Sequence, residues 1–382
     1  MSSPEFRILR QSVRLDDHED AIGNALNIIL SNKINWDELY ARADLHSIKP
    51  FVAKIINKLP PLSVPENFRD RINEAYRENL YHQLRNTAEF FRIKDTLENE
   101  GIISVPYKGF WLAHEFYGNL ADRESVDIDL YIHFRDLDRI IRILPLLGYK
   151  AEKSSSPEFI RKIKRESAEF NFDRFEGPER LYHVEFHWKT GSSMHGLDIS
   201  LDELSSHIIP GKLQNKDLQA FSQSANLLLA IMHHGGKDSF LQLKQVADIG
   251  VIIKNSHDID WEWILGKARQ YKMENLVYLA LRLASEITGI KTPEALKIRT
   301  DSKNIRRLAD ERIRLMEEEA VKLSETIYRS LDLQFHLRTR NSFKIRTGLI
   351  TSNWRSAILS FIMPHKLLNY YLKKRYNIDK PD

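Results

Sequence analysis

Two aspartates one residue apart, Asp127 and Asp129, stand in an otherwise apolar run from Val126 to Ile132. In a strand, side chains alternate, so both carboxylates share one face while Val126, Ile128, Leu130 and Ile132 line the other. Like charges that close repel and raise one pKa, a cost that a cation removes. Magnesium suits such a pair, because it takes oxygen ligands and is usually held by one or two carboxylates plus phosphates. The plainer reading of an acidic pair is a solvated strand face. A second segment, Tyr182-His183-Val184-Glu185-Phe186-His187-Trp188, alternates in the same way. Val184, Phe186 and Trp188 then face a core, Glu185 and His187 the other side, and Glu185 becomes a third acid if the two strands are neighbours. A third segment, Pro106-Tyr107-Lys108-Gly109, ends a strand at a glycine before a helix, where backbone can approach a phosphate. By itself it is an ordinary strand-to-helix turn.

Elements with two different periods must position these residues. From Asp20 to about Leu97, apolar residues recur at three- and four-residue intervals, which predicts amphipathic helices with a loop at Pro60, Pro61 and Pro65. After Gly101 the period shortens. Strands are expected at Ile102 to Tyr107, Ser125 to His133, Ala168 to Phe175 and Leu181 to Trp188, with helices at Phe110 to Tyr117 and Asp136 to Leu147. The fold class expected is therefore α+β, a small mixed sheet with flanking helices. Helical spacing resumes in Leu218 to Met232, Leu241 to Ile253, Trp261 to Tyr271 and Asn275 to Thr288. The period changes divide the chain into a helical N-terminal region (1–100), a sheet-containing core (101–215), a helical domain (216–295) and a basic helical C-terminal region (296–382).

The 382 residues, 42% hydrophobic and 29% charged, have a globular composition. The absence of cysteine excludes disulfides, thiolate metal sites and a cysteine nucleophile. The N-terminus has no secretory apolar core, and the apolar runs are far shorter than a membrane span, so a cytoplasmic protein without a transmembrane segment is expected. The net charge of +4 is modest, but its distribution is uneven. Between Leu333 and Ile378 stand Arg338, Arg340, Lys344, Arg346, Arg355, Lys366, Lys373, Lys374 and Arg375, with no acid. This stretch, which includes Trp354, Phe361 and Tyr370, packs onto the body, lies on a membrane surface or grips an anionic partner such as nucleic acid.

Taken together, Tyr107-Lys108-Gly109, Tyr117-Gly118, Arg123, Asp127-Ile128-Asp129-Leu130 and Glu185-Phe186-His187-Trp188 resemble the nucleotidyltransferase superfamily, whose catalytic fold is that of DNA polymerase beta. They are most similar to its bacterial subfamily of uncharacterised nucleotidyltransferases. The resemblance extends through Leu227 to His234, Lys237, Val246-Ala247-Asp248-Ile249 and Asp260-Trp261, from about residue 33 to about 290. The chain departs from the superfamily in having Phe110 after Gly109, where serine or glycine is usual, and in a longer separation between Gly109 and Asp127.

The resemblance implies that 101–215 is a catalytic core transferring a nucleoside monophosphate from an NTP such as ATP to an acceptor, with release of pyrophosphate. In its two-ion magnesium scheme Asp127 and Asp129 hold the ions, and Glu185 ligates the second or serves as base. Lys108 and Arg123, flanking the acidic strands, have the charge to contact the triphosphate; as isolated cations they read equally as surface residues. His187 would orient a metal-bound water or the acceptor, or be structural. His234 and Lys237 would lean over the site from the helical domain, although hydrogen-bonded residues at a helix end are the default. The combination of His233, His234 and Asp248 matches no zinc spacing. The acceptor is a small molecule, a protein or a nucleic acid. The rival reading is a catalytically silent binding or adaptor protein on the same fold.

Overall fold

The computed structural model describes residues 2–153, 156–191, 196–319 and 325–352. Four short helices, α1 (Pro4–Ser12), α2 (His18–Ser31), α3 (Trp36–Leu45) and α4 (Lys49–Ile56), precede the 34-residue α5 (Glu66–Asn99). Ser3, Asp17 and Asn35 cap the first three by accepting from the N–H groups of Phe6, Asp20 and Glu38. At 1.5 Å per residue α5 is about 50 Å long. It buries Phe68, Ile72, Phe90, Ile93 and Leu97 along one stripe. Polar residues on the same helix do a different job. Asn79 donates to the carbonyls of Ala121 and Arg123 at 2.8 and 3.1 Å, Gln83 to Ser125 O at 2.6 Å, and Asn86 to Val126 O at 3.3 Å. These carboxamides pin the segment leading into the acidic strand.

That segment is not itself a strand. Pairing begins at Ile128, in β2 (Ile128–Ile132), so the expected strand from Ser125 is three residues too long. The carbonyls of Ala121, Arg123, Ser125 and Val126 accept from α5 and not from a neighbouring strand. Val126, expected to face the core, is 66% exposed, and Asp127 lies at the bend before the strand. The other strands are β1 (Ser104–Pro106), β3 (Lys150–Ala151), β4 (Glu169–Glu176) and β5 (Glu179–His187). They form one mixed sheet in the order β1-β2-β5-β4-β3, with β2 and β5 parallel and the other neighbours antiparallel. The chain is α+β, as its periods predict. Helix α6 (Gly109–Leu112) continues as a π-turn over Ala113–Tyr117, and α7 (Leu137–Ile143) is flanked by short 3₁₀ pieces. Helix α8 (Pro157–Glu166) leads into β4.

A second departure lies at 208–221. The expected helix from Leu218 starts instead at Gln223, because Lys216–Phe221 is a strand, β7, paired with β6 (Ile208–Leu213). The two join through Gln214 and Asn215, at φ 50° and 64°, the left-handed pair of a tight hairpin. Leu218 and Ala220 are buried while Asp217 and Gln219 are exposed, a period of two hidden beside the apolar run that follows. Gly211 lets the hairpin close over the indole of Trp111, which a Cβ there would meet at 3.2 Å.

Helices α9 (Gln223–Gly236), α10 (Leu243–Asn255), α11 (Trp261–Gln270), α12 (Glu274–Thr288), α13 (Glu294–Thr300), α14 (Lys303–Glu317), α15 (Glu325–Thr339) and α16 (Phe343–Ser352) complete the described chain. One hydrophobic cluster extends from Phe6 through the sheet to Phe335. Part of the described basic stretch packs onto the body. Arg338 pairs with Glu311, the buried Arg340 donates to the carbonyls of Gly196 and Tyr271, and Leu333 and Leu349 are buried. Trp354, Phe361, Tyr370, Arg355, Lys366, Lys373, Lys374 and Arg375 lie outside the described residues. Among the described residues no helix is long and apolar enough to cross a membrane.

Candidate active site

The parallel pairing of β2 with β5 sets Asp129 opposite Glu185 and Tyr131 opposite His187. The apolar residues of each strand, Ile128, Leu130, Val184 and Phe186, are fully buried, so packing holds this register and a one-residue slip would turn the acids inward. The imidazole of His187 bridges the acids: Nε2 lies 3.0 Å from Asp129 Oδ1 and 3.2 Å from Glu185 Oε2, and Nδ1 lies 3.4 Å from Glu169 Oε2. Glu185 Oε1 is 3.4 Å from His183 Nε2, whose Nδ1 is 2.7 Å from Asp173. Lys237 reaches the cluster from the end of α9 through Glu169, at 3.1 Å.

At the turn after β1, Lys108 has φ 60° and ψ −138°, a conformation rare outside glycine, and Gly109 has φ 42°. A Cβ on Gly109 would lie 3.3 Å from both Asp127 O and Ser125 Oγ, so the glycine lets two chain segments close on each other. The strained backbone sends Lys108 Nζ to 2.9 Å from Asp129 Oδ1 and 2.9 Å from His233 Nε2. Since the ammonium donates to Nε2, His233 carries its own hydrogen on Nδ1, which lies 3.3 Å from Asp238 Oδ2.

Charge within the cluster is unevenly compensated. Burial opposes ionisation of Asp129, but the Lys108 ammonium and the His187 hydrogen bond outweigh it and hold its pKa below the usual range. Burial likewise opposes Glu185, yet hydrogen bonds from His183 and His187 keep it far below that range. Burial works against charging His187 and Lys108, and the surrounding carboxylates raise both pKa values regardless. Among the described residues Asp127 forms no ion pair, and burial, followed by repulsion from Asp129 and Glu185, pushes it up to about 6 against the weaker pull of His183 and Lys108. Burial and then Lys108 lower His233 to about 3, so it is neutral at pH 7.

Arg123 and His234, expected to face a ligand, border the cleft, and the side chains of both are engaged with Asp248. The guanidinium of Arg123 makes two 2.8 Å bonds to Asp248 and a third, at 3.3 Å, to Gly109 O. His234 Nε2 lies 2.9 Å from the same Asp248, and Tyr117 donates to it at 2.6 Å. Asp248 thus belongs to a buried bracket behind the site, tying α10 to the turn at Gly109. The cleft itself, of 170 Å³, is bordered by Lys108, Gly109, Asp127 and Asp129 and, unforeseen from sequence, by Ser125 and Lys244. Glu169, His183 and Asp238 were also unforeseen, and His233 entered only in a zinc combination that its spacing does not support. His183 sits two residues from Glu185 on the same strand face, which is the signal that could have found it; Glu169 and Asp238 have no such signal.

The donor set fits a divalent ion. Ligand atoms of Asp129, Glu185 and His187 lie within 4.8 Å of one another, and Asp127, bordering the same cleft, is the acid whose charge is least compensated. These are oxygen-rich surroundings of the kind magnesium takes. His233, His234 and Asp238 make a second group of closely spaced donor atoms, but His233 Nε2 already accepts from Lys108.

Residues 32–289 match a family model described as uncharacterised nucleotidyltransferase. No curated protein matches the chain. Among solved structures, it is similar to the crystal structure of the lincosamide antibiotic adenylyltransferase LnuA with lincomycin bound, at 19% identity and a TM-score of 0.31, over 44% of this chain and 97% of that one.

Proposed function

From the premise that the chain belongs to the uncharacterised nucleotidyltransferase family, we propose that it transfers a nucleoside monophosphate from an NTP to an acceptor hydroxyl. The observation that supports this most is the Asp129–Glu185 cross-strand pair, with Asp127 and Asp129 both bordering the cleft. Asp127, Asp129 and Glu185 would hold magnesium, two ions in the family scheme, which when bound supplies charge neutralisation for the triphosphate. The acceptor oxygen attacks the α-phosphorus, the bond to the bridging oxygen breaks, pyrophosphate leaves and the hydroxyl proton passes to a base. Glu185 serves as that base or as a ligand. His187 fixes the facing carboxylates of Asp129 and Glu185, and Lys108 balances Asp129 while standing beside the incoming phosphates. Arg123 and His234 act on the site through Asp248 and the Gly109 carbonyl, and Lys237 acts through Glu169. Residues 101–215 carry the chemistry, and the basic stretch after 332 serves an anionic acceptor or partner.

One observation favours the rival reading of a silent binding protein: Asp129 is already neutralised by Lys108 and His187 without any ion. Calorimetric titration with ATP, CTP, GTP and UTP, with and without magnesium, separates the two. Magnesium-dependent binding is expected, and its absence at millimolar nucleotide would sink the transfer reading.

A further inference from the structure

Most cations at the cleft are matched to acids: Lys108 to Asp129, Arg123 to Asp248 and, at its edge, Lys237 to Glu169. Lys244, in the first turn of α10, borders the cleft too, yet among the described residues its ammonium has no hydrogen-bond or ion-pair partner. Asp248 is committed to Arg123, His234 and Tyr117, and Glu124, whose field also reaches Lys244, is itself pushed toward the neutral acid by burial. Beside Gly109, Ser125 Oγ is buried and likewise has no hydrogen-bond partner. Lys244 is half-buried, and an ammonium partly removed from water without an anion is costly, as is a buried hydroxyl with an unused donor. Burial, and then Arg123, lower the Lys244 pKa to about 8.

Both deficits are met by one ligand chemistry, an anion with several acceptor oxygens. We propose that Ser125 and Lys244 form the subsite for the phosphate tail of the nucleotide. This rests on the transfer reading above and extends it. The cleft then has two unlike parts. Asp127 and Asp129 form an acidic part that needs a cation, and Lys244 with Ser125 forms a donor part that needs an anion. A magnesium-complexed polyphosphate satisfies both, and a neutral acceptor satisfies neither. The hydroxyl comes from the segment that α5 pins, so the cleft has one although Phe110 follows Gly109.

The test is calorimetry on the full-length protein with ATP and inorganic tripolyphosphate as titrants in magnesium. Lys244→Met should weaken both by about tenfold or more, the worth of a charge-assisted hydrogen bond, and Ser125→Ala by about threefold to tenfold. Lys244→Arg should retain most of the affinity. Without nucleotide, the Lys244→Met protein should melt at or above the wild-type temperature, because an uncompensated charge is gone; a purely structural lysine would lower it. Should Lys244→Met not fold, Ser125→Ala, which keeps every charge, carries the comparison. Wild-type affinity in the substituted proteins overturns the subsite and leaves the transfer reading standing. A wild-type protein that binds neither titrant overturns both.

Discussion

Arg123 and Asp248, 125 residues apart in sequence, meet as a two-point ion pair with both N–O distances at 2.8 Å and side chains 3% and 0% exposed. The pair joins the segment entering the acidic strand to helix α10. Burial opposes both charges, but each partner stabilises the other, so the Arg123 pKa lies above its ordinary value and that of Asp248 well below.

Breaking this bracket should cost more than any surface pair. Asp248→Ala strands a buried guanidinium and should lower unfolding stability by about 3–5 kcal/mol, measured by urea titration. A loss below about 1 kcal/mol would show that the guanidinium finds water or another partner.

Asp127 should behave oppositely, mattering for turnover and little for stability, whereas Asp129, buried against Lys108 and His187, matters for both. Asp129→Asn or Asp127→Asn is expected to cut nucleotidyl transfer on the order of a thousandfold while the far-ultraviolet circular dichroism spectrum stays the same. Near-normal rates in either substituted protein would place the chemistry elsewhere.

Gly109→Ala tests the close approach at the turn. At φ 42° the added Cβ is strained and sits 3.3 Å from Asp127 O and Ser125 Oγ. A stability loss of about 1–2 kcal/mol is expected from the left-handed backbone, with a larger proportional loss of magnesium-nucleotide affinity as the two segments part. Affinity unchanged by calorimetry would mean that the cleft tolerates the wider turn.

Glu124 supplies a pH signature. Burial raises it from 4.5 to about 7, despite the attraction of Lys49 and Lys244 and with a small push from Asp44. Because the folded-state value is the higher one, the carboxyl costs nothing below about pH 4.5, where it is neutral in both states. Its cost grows as pH rises and is complete above about 7, reaching about 3 kcal/mol at most. Glu124→Gln should therefore stabilise the protein at pH 8 and leave it unchanged at pH 4, as read from urea midpoints. A gain of equal size at both pH values would refute the assignment.

The end of the chain can be tested by where it is cut. Phe335 and Leu349 are buried, so removing residues from 333 onward should destabilise the body; a chain ending at 352 keeps both and isolates what the basic residues after it contribute. If the remaining basic residues hold a polyanion, that chain should lose a partner affinity that, in the full-length protein, falls steeply with salt. Salt-independent partner binding would argue against this role.

What could be read in the sequence was local. The alternation around Asp129 and Glu185, the 3.6-residue stripes of α5 and α12 and the turn at Gly109 arise from steric preferences over a few residues, and each occurs within a few residues of its expected place. Alternation failed where neighbours other than the next strand took the backbone, as α5 does at Ser125 and Val126, and where a short hairpin lay against a longer apolar run, as at β7. The partners of each charge were beyond its reach. Arg123 and Lys244 are both cations near one cleft, and nothing in their surroundings in the chain says that the first is held by Asp248 while the second, among the described residues, pairs with no acid. Ion pairing depends on distances of a few ångströms between segments more than a hundred residues apart, and on how much water packing removes from between them. The residue types set which chemistry the chain can do. The packing of α5 and α10 against the sheet decides which of its charges are already satisfied and which are left for a ligand.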